Sequence, residues 1–265
     1  MSLFLQNSQH TLFVLFALLL PAGWACGSDD VAPPAEKSGK VRVALYCDEG
    51  SLKGAASIEK CLAAEPEQFQ WNHVTAKEIR QDVLQGYDVV VLGGGSGSKI
   101  AKTLEVAGRE KLRKFVEDGG GYLGICAGAY LASADYDWSL HIVNARVVDR
   151  QHWNRGGGQV KLALTPDGRK LLDIQAHTIE CRYHQGPLLA PAKEAGLPAY
   201  TALTLFASEI TKKGIPKGQM IGTTAMACAP LGKGRVFLSS PHPEATAGLH
   251  SIIQTAVHWL AKQEQ

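Results

Sequence analysis

The run Gly119-Gly120-Gly121-Tyr122-Leu123-Gly124-Ile125-Cys126-Ala127-Gly128-Ala129-Tyr130-Leu131 decides how the rest of this chain is read. Its first half has the character of a short buried strand and its last residues that of a helix. Cys126 stands at the join, with Gly124 before it and Gly128 after it. Gly-x-Cys-x-Gly is the cysteine form of a nucleophile elbow, a cramped strand-to-helix turn whose neighbours must be small. A thiol there lies at a helix N-terminus, whose partial positive charge favours thiolate over thiol. The expectation is a catalytic nucleophile at Cys126.

Upstream, Val41 to Cys47, Phe69 to Thr75 and Tyr87 to Leu92 read as apolar strands. Helical stretches at Lys53 to Ala64 and Ala76 to Leu84 separate them. A long amphipathic helix follows Gly93 to Ser98 and runs to about Asp118, burying Ile100, Leu104, Leu112, Phe115 and Val116. Strands alternating with helices predict an α/β fold with a mostly parallel sheet covered on both faces. Downstream, strands are expected at Ile142 to Val148, Gln159 to Leu164, His177 to Arg182, Leu203 to Ile210, Gln219 to Ala227 and Lys233 to Ser240. Short and closing helices are expected at Thr165 to Asp173 and Leu249 to Lys262.

A chain of 265 residues, 45% hydrophobic and 20% charged, fits one folded domain with a sizeable core. A net charge of +2 with no basic stripe argues against nucleic acid as a partner. Leu12 to Leu20 is an apolar run too short to span a bilayer but suited to the core of a secretory signal. Residues 1–25 are therefore read as a signal peptide, 26–40 as a flexible tether and 41–265 as the domain. Cleavage after Ala25 would expose Cys26, and this start resembles that of a bacterial lipoprotein, although Gly23 and Trp24 depart from the usual lipobox. The expectation is an exported protein, periplasmic or anchored to the membrane through a lipidated Cys26. Cys47, Cys61, Cys181 and Cys228 then allow either three disulfide connectivities or four buried thiols. Without a Cys-x-x-Cys, neither a zinc ribbon nor a thioredoxin-like site is expected.

Two glycine patterns fail as nucleotide sites. Gly119-x-Gly121-x-x-Gly124 enters a strand rather than opening a helix, and Gly93 to Lys99 lacks the Gly-Lys-Ser/Thr ending of a phosphate loop. The second loop sits where α/β sheets place their ligand crevice. Backbone amides of Gly94 or Gly95, with that of Ala127, are candidates for an oxyanion hole. A flexible solvent turn is the plainer alternative. Of nine histidines, His242 stands out, set between Pro241 and Pro243 with Glu244 two residues on. A carboxylate so close can accept from one imidazole nitrogen while the other faces the thiol. Tyr183 and His184 are candidates for lining a pocket, or for an ordinary surface loop.

Gly-x-Cys-x-Gly together with Ser240-Pro241-His242-Pro243-Glu244 resembles the class I glutamine amidotransferase-like superfamily. The runs Gly119 to Tyr130, Arg182 to Pro187 and Gly232 to Glu244 are similar to the N-terminal domain of biotin protein ligases and its stand-alone bacterial relatives. The resemblance implies a flavodoxin-like three-layer sandwich, with Cys126, His242 and Glu244 on the triad positions. Gln185-Gly186-Pro187 departs from the relatives' Gly-Gly-Pro. With no acceptor or ligase domain expected after Gln265, amidotransfer and biotin ligation do not carry over. The expected function is a cysteine-dependent hydrolase or amidase acting on an amide- or peptide-like substrate, with no metal or organic cofactor. The alternatives are a binding module that keeps the fold without turnover and, more remotely, a redox sensor.

Overall fold

The computed structural model describes residues 39–262, so the expected signal peptide, Cys26 and all but the last two residues of the tether lie outside the described residues. The first half runs β1 (Val41–Tyr46), α1 (Ala55–Ala63), β2 (Phe69–Val74), α2 (Ala76–Arg80), β3 (Val89–Leu92), α3 (Gly97–Glu117), β4 (Gly121–Ile125) and α4 (Ala127–Ala132). The second half runs β5 (Ala145–Val148), β6 (Gly157–Leu164), α5 (Pro166–Leu172), β7 (Thr178–His184), β8 (Leu188–Pro191), β9 (Thr201–Phe206), β10 (Thr224–Leu231), β11 (Gly234–Ser239) and α6 (His250–Ala261). One sheet takes the order β2-β1-β3-β4-β11-β10-β9-β6-β7, with β8 joined to β10 and β5. The five strands from β2 to β11 are parallel to one another, and the remainder extends the sheet antiparallel.

The strand period of two sorts the parallel strands between two cores. Val43, Leu45, Val89, Val91, Leu123 and Ile125 face α1 and α6 through residues such as Ile58 and Ile252. Ala44, Tyr46, Val90, Leu92 and Tyr122 face α2 and α3 through Ile79, Ile100 and Leu104. The result is the three-layer α/β sandwich, with the nucleophile strand β4 held between β3 and β11. Among the described residues no helix is long and apolar enough to cross a membrane.

Several expectations need correcting in detail. The long helix is broken at Glu105, which takes φ 60° and ψ −175°. Carbonyls near the break find arginine donors instead: Arg109 reaches Ala101 O at 3.0 Å and Arg80 reaches Thr103 O at 2.7 Å. Phe115 is only partly buried. The expected strand at Ile142 to Val148 begins only at Ala145, and that at Gln219 to Ala227 only at Thr224, after a turn through Gly222 at φ 80°. Strand β8, four residues ending in Pro191, carries too little periodicity to be read from sequence.

Candidate active site

The elbow is a steric construction. Strand β4 ends at Ile125, α4 begins at Ala127, and Cys126 between them adopts φ 51° and ψ −97°, a strained conformation for a residue with a side chain. Any Cβ on Gly128 would stand 2.2 Å from the Leu92 carbonyl oxygen, and one on Gly124 would stand 2.7 Å from the Gly128 backbone. The Tyr122 hydroxyl donates to the Gly128 carbonyl at 2.8 Å and closes the turn. The two flanking glycines are thus dictated by the approach of α4 to β3.

His242 follows β11, the parallel neighbour of β4, so the sheet itself brings the imidazole to the thiol. Its Nδ1 lies 2.7 Å from Oε1 of Glu244, whose side chain is almost fully buried. Nε2 is buried without a hydrogen-bond partner among the described residues. Burial by itself would lower the imidazole pKa. The facing groups of Cys126 and Glu244 outweigh that, and His242 is raised, to about 10. The Cys126 Sγ lies 3.5 Å from the His184 carbonyl oxygen, with the thiol as donor.

Gly94 borders the same space: a Cβ there would lie 3.1 Å from the His242 ring and 3.9 Å from Cβ of Cys126. Gly95, at φ 150°, passes so close to Gly50 that a Cβ would stand 1.7 Å from the Gly50 carbonyl oxygen, and only glycine fits. The amide of Ala127 opens α4 and so has no intrahelical acceptor. Tyr183 is fully buried and its hydroxyl donates to Gly186 O at 2.8 Å, so it supports a loop. The His184 side chain is exposed, and its backbone carbonyl is what meets the thiol.

One buried charge was missed by sequence reasoning. Arg155 is 1% exposed, and its Nη2 donates to Oδ2 of Asp149 at 2.6 Å. Asp149 also holds Nδ1 of His152 at 2.6 Å. Burial works against the ionised Asp149, but the hydrogen bonds of His152 and Arg155 prevail and hold the carboxyl below its ordinary range. Nη1 of Arg155 is buried without a partner among the described residues. The same charge is felt at Tyr130 and Tyr183. Burial pushes both phenols up, the charge of Cys126 adds to this, and the charge of Arg155 opposes it.

Cys47, Cys61, Cys126, Cys181 and Cys228 are all unpaired thiols. Burial first, and then the Glu244 charge, pushes Cys61 up to about 12; Cys181 is likewise pushed up to about 12 and Cys228 to about 11, mainly by burial. None of these three is placed to act as a nucleophile. Among the described residues no group of three or more His, Cys, Asp or Glu side chains is arranged to hold a metal ion. Two open clefts of about 730 and 810 Å³ lie elsewhere, one before the parallel strands around Arg42 and Asp88, the other beside α6 around Trp259.

Residues 42–155 match the family described as "Biotin-protein ligase, N terminal", a span that contains Cys126 and ends at Arg155. The chain is 32% identical over 173 residues to the pyridoxal 5'-phosphate synthase subunit PdxT of Deinococcus radiodurans, covering 64% of this chain and 78% of that protein. It belongs to the class I glutamine amidotransferase-like superfamily. Solved structures of two cytoplasmic proteins of Salmonella typhimurium share the fold. STM1381 has a TM-score of 0.57 at 11% identity over 84% of this chain and 100% of its own. STM3548 has 0.56 at 10% identity over 85% and 100%. The superfamily's flavodoxin-like α/β fold agrees with the parallel core and its two helical layers.

Proposed function

We propose that this protein is a cysteine-dependent amide hydrolase with Cys126 as nucleophile, His242 as general base and then acid, and Glu244 as the residue that orients the imidazole. The observation that carries this reading is the strained Cys126 beside an imidazole whose far nitrogen is held by a buried carboxylate. Attack of the thiolate on the amide carbon forms the carbon–sulfur bond and puts the carbonyl electron pair on oxygen. Amides of Gly94, Gly95 and Ala127 receive that oxyanion; one such donor contributes on the order of 3 kcal/mol to the transition state. His242 gives its proton to the leaving amine, the carbon–nitrogen bond breaks, and a thioester remains. Water, deprotonated by His242, releases the acid and restores the thiol.

Arg155 supports a narrower substrate class, amides that carry a carboxylate. A buried guanidinium with one arm already bound to Asp149 and the other unpaired is suited to a second carboxylate. The test is amine or ammonia release from carboxylate-bearing primary amides and short peptides. Cys126→Ser should lower turnover on the order of 10⁶-fold. An unchanged rate removes the reading and leaves a binding module. Export and lipidation of Cys26 belong to the same proposal, and cell fractionation with labelled palmitate checks both.

A further inference from the structure

The loop from His184 to Pro187 joins the Cys126 thiol to the turn that carries Arg155. The His184 carbonyl takes the Cys126 thiol. The Gln185 carbonyl accepts from the Tyr130 hydroxyl at 3.2 Å, on the helix that follows the nucleophile. The Gln185 amide donates to Gly156 O at 3.2 Å, next to Arg155. The Gln185 side-chain amide donates to Oδ1 of Asn154, on the other flank of Arg155, which also accepts from Lys212 Nζ at 2.6 Å. Gly186 is pressed so closely on Ser240 that a Cβ would stand 2.1 Å from its carbonyl oxygen, two residues before His242.

Gln185 itself sits at φ 60°, in the left-handed region that costs least for glycine. A long side chain in that conformation is explained by what it holds. We propose that Gln185 is a positioning residue that locks the Cys126 thiol and the Arg155 guanidinium into one fixed spacing, acting on the thiol through its backbone and on the Arg155 turn through Asn154. The inference rests on Arg155 as the carboxylate receptor. Its consequence is selectivity for length: an amide carbonyl and a carboxylate fit together only at the separation the lock sets.

Alkylation of Cys126 reads this without a known substrate. Iodoacetate and iodoacetamide lose the same iodide to the same thiolate, and differ in presenting a carboxylate or an amide. The rate ratio, iodoacetate over iodoacetamide, is measured at Cys126 by peptide mapping. It should exceed that of a free cysteine derivative, and Arg155→Met should abolish the excess. Gln185→Gly and Asn154→Ala should each lower the ratio by about fivefold, the change expected for one ordinary hydrogen bond. The double variant should lower it no further, since the two residues act as one link. A purely structural role would move the melting temperature and both alkylation rates together, leaving the ratio alone. Should Gln185→Gly fail to fold, Gln185→Asn tolerates the left-handed region and shortens the link instead. A ratio moved by Arg155→Met but not by the Gln185 and Asn154 variants overturns the lock alone. A ratio that Arg155→Met leaves unmoved removes the carboxylate receptor and the lock with it.

Discussion

On one side of the Cys126 thiol stands the elbow, Gly124 to Gly128; on the other stands the loop from His184 to Pro187, tied through Gln185 to the Asp149–Arg155 turn. The elbow is held by sterics: backbone approaches backbone until no Cβ fits, and the conformation of Cys126 follows. The opposite wall is held by charge and hydrogen bonds, and like Cys126 it has residues with side chains at positive φ, Asp149 at 56° and Gln185 at 60°. Each of those side chains spends itself on a polar contact, Asp149 with His152 and Arg155, Gln185 with Asn154. A wall fixed by contact distances has one solution. One fixed by polar pairs can be retuned by exchanging a pair.

Substitutions should fail in correspondingly different ways. Gly128→Ala places a methyl group 2.2 Å from the Leu92 carbonyl oxygen, where neither backbone has room to yield without moving β3 or α4. The expected loss is about 3 kcal/mol or more, the upper end of the range for overpacking a rigid core. Urea denaturation checks it, and a loss below about 1 kcal/mol would mean that the elbow is not the steric lock described. On the opposite wall, Asp149→Ala leaves the Arg155 guanidinium buried and without its carboxylate. Removing one partner of a buried pair costs about 3 kcal/mol. Here a repair exists that the elbow lacks: Arg155→Met in the Asp149→Ala background should recover part of the loss, which the same denaturation series measures.

The same contrast explains what the sequence revealed. The three-layer fold was legible because β1, β3 and β4 divide their residues between two cores with period two, as at Val43 and Ala44. The elbow was legible because a steric requirement leaves only glycine, and His242 with Glu244 because acid and orienter are two residues apart. Arg155 was not legible. Its carboxylate partner is six residues back, its surroundings are Tyr130 and Tyr183 from other elements, and an arginine in a polar stretch reads as solvated. The only local hint was a charge leading into Gly156-Gly157-Gly158, where a turn meets a strand edge. The break in α3 at Glu105 was hidden for a related reason, since its stabilising donors Arg80 and Arg109 look like ordinary surface arginines.

His242 faces the thiol of the elbow, and pH should report it. The folded value is raised above the ordinary 6.5 by Cys126 and Glu244 against the cost of burial. A raised histidine adds stability that is fully present below its unfolded value and is lost as pH rises through the folded one. Wild-type protein should therefore lose stability between pH 6.5 and about 10 relative to His242→Asn, in which the side-chain amide can still donate to Glu244 but does not titrate. Parallel pH profiles of the two proteins would sink this account if they share one slope, because other groups titrating in that window are common to both.

The smallest effect is expected at Gln185, and it sharpens the comparison most. Replacing Gln185 by Gly removes a left-handed conformation that costs about 1–2 kcal/mol for a residue with a side chain. Against this, glycine gives the unfolded chain more freedom, about 0.4–1 kcal/mol. The lost hydrogen bond to Asn154 takes about another 1 kcal/mol. These terms nearly cancel, so Gln185→Gly should shift stability by no more than about 0.5 kcal/mol, as a calorimetric melt measures. A glycine introduced at Gln185 is then neutral for folding, while a glycine removed from Gly128 is ruinous, although both positions border the same thiol. A loss of more than about 2 kcal/mol would instead assign the Asn154 link a main share in holding the fold, and the two walls would be fixed with equal stiffness.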